Sequence, residues 1–183
     1  MISFILRRLA TYLSFLFINK PSDLSKNDKI LNKIYKRMSK TKIKSLNLKD
    51  THIKFNSEIY RLLKTKKIKN FLRESFIQKM FFVHNRLFIL NELKYLYRDI
   101  KWNFYKKLLV EDNVGNPVRY FLYPKSSGNK INHVFHLCTL INQFNIDIKK
   151  IKNVFEFGGG YGCMARIFSK INKRIKFTCF DTN

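Results

Sequence analysis

The sequence has few residues that interrupt helices, with only three prolines and six glycines among its 183 residues. A chain with so few breakers supports long helices. Hydrophobic residues make up 45% of it, which is enough for a packed core and argues against wholesale disorder. The length fits one domain of ordinary size, or one domain with an appendage.

Cysteine is also scarce, with Cys138, Cys163 and Cys179 as the only three. None of them belongs to a C-x-x-C pair, and their number is odd. This pattern excludes a disulfide framework and a cysteine-based zinc site. We therefore expect buried free thiols in a reducing compartment, which predicts a cytoplasmic protein, and we expect no bound metal.

Acidic residues are few: 12 Asp and Glu stand against 37 Lys and Arg, giving a formal net charge of +25. Such an excess is typical of proteins that bind nucleic acid, anionic lipid or an acidic glycan. Lys, Asn, Ile and Phe also share A/T-rich codons, so a biased base composition produces the same excess without a partner. The lysines are spread along the chain instead of forming one arginine-rich stripe, which weakens the nucleic-acid interpretation.

The sequence has no hydrophobic run near its start that is long enough to span a bilayer. The mostly apolar run from Leu9 to Ile18 is too short. Asn19, Lys20 and Pro21 follow it, where a signal peptide would need small residues for cleavage. As a helix, this segment has an apolar side, which predicts either packing on the rest of the chain or peripheral membrane contact through residues 1–18.

Helical spacing of apolar residues continues through the first 110 residues, which we predict to be an all-helical region. Asn56 or Ser57 is the expected N-cap of a helix that ends near Leu63. The next two predicted helices run from about Lys69 to Val83 and from about Asn85 to Leu109. The second of these carries a continuous apolar stripe formed by Leu87, Leu90, Leu93, Leu96 or Tyr97, and Ile100.

The pattern of the sequence changes after Val110. Val114-Gly115-Asn116-Pro117 is a turn signal, and a short strand is expected from Val118 to Tyr123. Ser126 to Asn129 reads as a loop, with Asn129 capping a helix over about Lys130 to Phe144.

The last segment has the pattern strand, glycine loop, helix, strand. The predicted elements are Val154–Phe157, Gly162–Ile171 and Ile175–Phe180, and four of the six glycines lie between Gly158 and Gly162. Parallel strands joined by a helix define an α/β sheet. The predicted fold is therefore α/β, with a helical region over residues 1–110 and a sheet-bearing region over residues 111–183.

A glycine-rich turn between a strand and a helix lets a ligand approach the backbone. The loop of nucleotide hydrolases needs Lys followed by Ser or Thr, which is absent. The dinucleotide fingerprint would place Cys163 at its third glycine and leave the acidic Glu156 beside a pyrophosphate. The pattern E-x-G-x-G-x-G fits fully, at Glu156, Gly158, Gly160 and Gly162. An acid there suits a cationic ligand such as S-adenosylmethionine, which has an ammonium, a sulfonium and no phosphate.

The stretch "EFGGGYG", Glu156 to Gly162, resembles the first motif of class I S-adenosylmethionine-dependent methyltransferases. In that family an acid at the end of the second strand binds the ribose, and Asp181 stands at that position. The resemblance implies that Glu156, Gly158, Gly160 and Gly162 contact the methionine end of the cofactor. Gly159 and Tyr161 of the same loop are also predicted to bind the cofactor, and Tyr161 either packs on it or orients the loop.

A narrower similarity extends over about residues 110–183. "VGNP", an aromatic-containing helix and "EFGGGYG" followed by an Ala-Arg helix are similar to the sugar O-methyltransferases of bacterial polysaccharide gene clusters. This implies a Rossmann-like domain and methylation of a sugar or glycan hydroxyl. Such a sheet has more strands than the two found here, so we expect the sequence to be the N-terminal fragment of a longer enzyme.

Other residues give weaker signals for chemistry, and no catalytic residue is assigned. His133 and His136 lie one helical turn apart, and are either a base or metal pair or two half-exposed histidines. Glu111 and Asp112 either face a substrate or are solvated loop acids. Two alternative functions stay open: a nucleic-acid methyltransferase, and a non-catalytic basic helical protein that binds a membrane or a partner.

Overall fold

The computed structural model describes residues 50–64, 70–81 and 87–180, together with the isolated positions Ile5, Leu9, Leu13, Asn32, Lys33 and Lys36. Most of the predicted membrane-contact segment, residues 1–18, lies outside the described residues, and so does Asp181. Over the described ranges the fold is mixed α/β, with one antiparallel and one parallel pair of strands. No helix in these ranges is both long and apolar enough to cross a membrane.

Four helices come first among the described elements, and four strands interspersed with two further helices follow. The helices are α1 (Asp50–Lys64), α2 (Ser75–Phe81), α3 (Leu87–Arg98), α4 (Trp102–Leu109), α5 (Gly128–Phe144) and α6 (Cys163–Ile171). The strands are β1 (Arg119–Tyr120), β2 (Tyr123–Ser127), β3 (Asn153–Phe157) and β4 (Lys176–Phe180). Short 3₁₀ turns cover Phe71–Arg73 and Ile148–Lys150.

The chain forms two compact units. One consists of residues 18–80 and 112–117, and the other of residues 1–17, 81–111 and 118–183. The predicted boundary at residue 110 divides the chain into two consecutive segments, whereas each of these units is defined by the residues that pack together. Helices α3 and α4 share a unit with the parallel strands because both pack against α5.

In the first unit, the predicted turn at Val114–Pro117 is confirmed. Gly115 and Asn116 both have positive φ, +74° and +55°. The Gly115 carbonyl accepts a hydrogen bond of 3.0 Å from the Leu72 amide. A side chain at Gly115 would overlap the Phe71 ring, so glycine is needed for space as well as conformation.

The helix starts predicted for this unit are wrong. Helix α1 begins at Asp50, so Asn56 and Ser57 lie inside it and neither is its N-cap. The helix predicted from Lys69 to Val83 is a 3₁₀ turn followed by α2, because Glu74 takes an extended conformation with ψ of 135°.

The single helix predicted from Asn85 to Leu109 is also wrong, since α3 and α4 are separated by a turn at Asp99–Lys101. The Asp99 carboxylate accepts a 2.7 Å hydrogen bond from the Lys101 amide, and the Asp99 amide donates to Leu96 O at 3.2 Å. Aspartate side chains compete in this way with the helical hydrogen-bond ladder. The predicted apolar stripe therefore ends at Leu96, and Ile100 is 98% exposed.

The segment before α5 differs from its prediction as well. The strand expected over Val118–Tyr123 is a β1–β2 pair, antiparallel, with β2 running on to Ser127. Ser126 and Ser127, predicted as loop, are buried. Ser127, not Asn129, caps α5 by accepting a 3.1 Å hydrogen bond from the Lys130 amide.

Helix α5 lies at the centre of the second unit and contacts α3, α4, α6 and β2. Its residues Ile131, Val134, Leu137, Cys138 and Ile141 are buried and lie at helical spacing. The same core includes buried residues from the neighbouring elements: Ile89, Leu96, Tyr105, Leu108, Leu109, Tyr120, Ile148, Cys163, Ile167 and Phe168. Cys138 and Cys163 are buried free thiols as expected, whereas Cys179 is exposed.

Strands β3 and β4 pair in parallel and are joined through α6, which confirms the predicted strand–helix–strand unit. Val154 and Phe177 face the core side, where Phe168 of α6 packs near Phe177. The opposite face carries the exposed rings of Phe155, Phe157 and Phe180. The Phe180 ring stacks with Phe157 at 5.3 Å and with Phe155 at 6.2 Å between centroids.

Candidate cofactor-binding loop

The loop from Gly158 to Gly162 connects the end of β3 to the start of α6. Gly158, Gly160 and Gly162 have φ values of +71°, +51° and +78°. Residues with a side chain adopt this region only at an energetic cost, so the loop requires glycine at each of the three positions. The Gly162 amide donates to Gly159 O at 2.9 Å, and Gly162 O accepts from the Arg166 amide at 3.1 Å, which begins the helix.

The loop has a packed side and an open side. A side chain at Gly159 would overlap Cys179 Sγ and lie 2.9 Å from Glu156 Oε2. By contrast, a Cβ at Gly158 or Gly162 would meet no atom within 4 Å. Glycine is therefore needed at position 159 for close packing, while positions 158 and 162 leave their backbone accessible to a ligand.

Glu156 and the end of β4 meet beneath this loop. Glu156 pairs in register with Cys179, and its half-buried carboxylate lies against Gly159. The Gly158 amide donates a 2.7 Å hydrogen bond to Phe180 O, which ties the carboxyl ends of the two strands together. The strand-end acid and the glycine loop are thus adjacent. Asp181 follows Phe180 in the sequence but lies outside the described residues.

Tyr161 anchors the loop to the rest of the unit. Its hydroxyl accepts a 2.7 Å hydrogen bond from the Asn129 side chain, and its ring packs against the core. Burial raises the pKa of Tyr161 well above its ordinary value, so its phenol stays neutral. These contacts orient the loop, and contact of Tyr161 with a cofactor stays a prediction.

Cys163 is the first residue of α6, and its side chain is buried in the core cluster. Burial raises the pKa of its thiol to about 11. A thiol with so high a pKa is protonated at neutral pH, and the protonated form is a weak nucleophile. The third glycine of a dinucleotide fingerprint would fall at position 163, where this chain has a cysteine.

A buried ion pair lies beside the anchor residue Asn129, at the start of α5. Lys130 Nζ contacts Glu111 Oε1 at 2.7 Å, and the two side chains are 1% and 10% exposed. Ser127 Oγ donates to the other carboxylate oxygen at 2.5 Å, and Lys130 Nζ also donates to Val110 O at 3.3 Å. The interpretation of Glu111 as a solvated loop acid is therefore wrong.

Sequence reasoning missed the role of Lys130, although one signal was present. A lysine in the first turn of a helix faces the positive end of the helix dipole, which is unfavourable without a nearby acid. Glu111, just after α4, is that acid. The sequence predicts Asn129 only as a cap, because its contact with Tyr161 depends on tertiary packing.

The two histidines of α5 have different surroundings. His136 is exposed, whereas His133 is partly buried with Nδ1 at 2.7 Å from Asn129 O. A carbonyl oxygen only accepts, so Nδ1 carries the proton and donates it. Burial lowers the pKa of His133 below its ordinary value.

Within residues 50–64, 70–81 and 87–180, no three His, Cys, Asp or Glu residues are arranged to hold a metal ion.

His133 should make stability depend on pH. Because burial lowers its pKa in the folded state, below about pH 6.5 the unfolded chain binds more protons than the folded chain. We expect the free energy of unfolding to fall as the pH drops from about 7 to 5, and His133→Gln to reduce that fall. Urea unfolding of both proteins across this range measures the difference. Parallel pH profiles would contradict the prediction.

Comparisons with family models, curated proteins and solved structures find no match to this chain. The functional assignment therefore depends on the loop itself: the acid beneath it, its open glycines and the parallel strands that carry it.

Proposed function

We propose that the loop binds S-adenosylmethionine and that the chain belongs to a class I methyltransferase with a Rossmann-like sheet. One observation carries this proposal. The parallel strand–loop–helix–strand unit brings a carboxylate, Glu156, against the packed side of a glycine loop whose other side is open. Ligands of open α/β sheets bind at this place, outside the carboxyl ends of the strands.

The position of Glu156 favours a cationic ligand over a phosphate. Its Oε2 lies 2.9 Å from where a Cβ of Gly159 would be, on the packed side of the loop, so only the loop backbone would separate this charge from a ligand on the open side. A pyrophosphate there would be repelled, whereas the ammonium of S-adenosylmethionine would be attracted. The buried side chain of Cys163 also argues against a dinucleotide, which needs glycine for close approach of the helix.

In this proposal the side chain of Asp181 binds the ribose of the cofactor. The hydrogen bond from the Gly158 amide to Phe180 O brings the end of β4 beside the loop, and Asp181 is the next residue in sequence. A carboxylate that accepts from both ribose hydroxyls would fix the cofactor at its middle, while Glu156 holds its methionine end. Tyr161 is bonded to Asn129 and keeps the loop in place.

The proposed acceptor is a sugar hydroxyl, supported by the similarity of "VGNP" and "EFGGGYG" to sugar O-methyltransferases. S-adenosylmethionine would supply the methyl group, leaving as a thioether when its S–CH₃ bond is replaced by the O–CH₃ bond to the hydroxyl oxygen. The hydroxyl proton would pass to a base. None of the described residues is assigned as that base.

The active sheet is proposed to contain more strands than β3 and β4, as the resemblance implies, and to have its second face covered. Parallel sheets are normally covered on both faces, and here α6 covers one face while Phe155, Phe157 and Phe180 are exposed on the other. In this proposal the chain supplies the first strand–helix–strand unit of the enzyme.

Calorimetric titration with four ligands tests the cofactor assignment. We expect S-adenosylmethionine and S-adenosylhomocysteine to bind, and NAD⁺ and ATP to bind at least about tenfold more weakly because of their phosphates beside Glu156. Equal or tighter binding of NAD⁺ or ATP would overturn the proposal.

The net charge of +25 supports a second candidate, a nucleic-acid acceptor. Filter binding of RNA at several salt concentrations separates the two acceptors. Phosphate contacts would give a steep loss of affinity with salt, whereas a sugar methyltransferase would show weak and non-saturating RNA binding.

A further inference from the structure

A groove separate from the glycine loop lies between α3, α4 and β2. Its volume is about 700 Å³, within the range of small-molecule sites. One wall is formed by five residues of α3 whose spacing places their side chains on one helix face: Leu90, Leu93, Lys94, Tyr97 and Arg98. Residues of α4 and β2 complete the groove, so its shape is set by three packed elements.

Aromatic side chains line the groove. Tyr97 and Trp102 contact each other edge to face, with centroids 5.3 Å apart and planes at 65°. Trp102 and Tyr123 are half-buried and pack against the hydrophobic core, which holds them in place. The groove therefore offers fixed ring surfaces to a ligand, on which a sugar ring or a base can stack.

The charged side chains of the groove are all cationic. Lys94 and Arg98 come from α3, Lys106 from α4 and Lys125 from β2, and no acid lines the groove. None of these four side chains forms an ion pair with an acid among the described residues. Four uncompensated positive charges around one cavity attract a compact anion, and an arginine fork matches phosphate geometry.

We propose that this groove binds a phosphate ester carried on a ring, with the phosphate held by the cations and the ring stacked on the aromatic wall. A sugar phosphate and a nucleotide share this chemistry. The volume suits a small molecule, and the half-buried rings suit one stacked ring. A nucleic-acid strand would instead need an extended basic track.

Trp102 is the only tryptophan of the chain, so its fluorescence reports directly on this groove. The full chain is titrated with glucose 1-phosphate and with uridine monophosphate, and in parallel with glucose and inorganic phosphate. We expect at least one ester to give a saturable change with affinity about tenfold above that of both fragments. The tighter ester identifies the source of the ligand.

Two neighbouring lysines on α4 form a matched pair for this test. Lys106 lines the groove, whereas the exposed Lys107 does not. Lys106→Gln is expected to weaken ester binding about tenfold, and Lys107→Gln to leave it unchanged. Tyr97→Ala, at a position that is 67% exposed, should also weaken binding.

Three outcomes would overturn the proposal: no fluorescence change with either ester, inorganic phosphate binding as tightly as the esters, or equal losses in Lys106→Gln and Lys107→Gln. Displacement of a bound ester by an RNA oligonucleotide with a steep salt dependence would also overturn it, in favour of a nucleic-acid surface. The groove shares no residue with the glycine loop, so loss of either proposal leaves the other intact.

Discussion

Replacement of Lys130 by methionine is expected to lower the free energy of unfolding by about 3–5 kcal/mol. Lys130 is 1% exposed and its Nζ lies 2.7 Å from Glu111 Oε1. Removing the ammonium takes from the buried Glu111 carboxylate the cation that lies 2.7 Å away, and the loss of this contact accounts for most of the cost. The Val110 carbonyl keeps a donor, because Lys170 Nζ also contacts it at 2.6 Å.

A second lysine–acid pair provides the control. Lys150 and Asp147 lie 3.6 Å apart with side chains 85% and 51% exposed, so Lys150→Met should cost less than about 0.5 kcal/mol. Adding Glu111→Leu to Lys130→Met should recover much of the loss, since both charges are then absent. Urea unfolding measures all four proteins. Equal losses for Lys130→Met and Lys150→Met would show that the buried pair has no special role.

Substitution of Asp181 by alanine is expected to weaken S-adenosylmethionine binding by about 100-fold or more. A carboxylate that accepts from two ribose hydroxyls makes two charge-assisted hydrogen bonds, each contributing about 1.5–3 kcal/mol. Asp181→Asn keeps one amide oxygen as an acceptor, so its loss should be intermediate. Calorimetry on the three proteins gives the dissociation constants directly.

The matched control for this prediction is Asp147→Ala, which removes an acid that lies outside the glycine loop and the groove. It should leave cofactor affinity unchanged. Unchanged affinity in Asp181→Ala would remove the ribose assignment and with it the methyltransferase proposal. Loss of affinity in both alanine variants would point to the general charge of the chain instead.

The sheet-bearing segment was predictable because its signals are local. The spacing of apolar residues changes from strand to helix and back between Val154 and Phe180, and the glycines between mark the turn. The positions of Glu156 and of the loop glycines were also predicted from their spacing in the sequence alone. The parallel pairing of β3 with β4 then follows from the connecting helix.

The errors occurred where one side chain overrode a longer pattern. The apolar stripe of α3 continues in sequence to Ile100, but the Asp99 carboxylate bonds to the Lys101 amide and ends the helix. Ser126 and Ser127 read as a polar loop, yet both are buried, and Ser127 is bonded to Glu111. A hydrogen-bond partner 16 residues away leaves no trace in a short sequence window.

The candidate site shows the same difference between local sequence signals and contacts of residues far apart in the chain. Glu156 and the glycines were identified from the motif, whereas the anchor between Tyr161 and Asn129 joins residues 32 positions apart. The pair of Lys130 and Glu111 is separated by 19 positions. Such contacts depend on how α5 packs between α4 and α6, which hydrophobic spacing alone does not determine.

The three phenylalanine rings on the uncovered face of the β3–β4 sheet make the purified chain sensitive to salt. Exposed aromatic patches favour association between copies, while a charge of +25 on every copy opposes it. At low ionic strength the repulsion extends far enough to keep the copies apart. Near 0.15 M salt it is screened beyond about 8 Å, and the rings of neighbouring molecules can then meet. The solubility of this basic chain should therefore decrease, not increase, as salt is added.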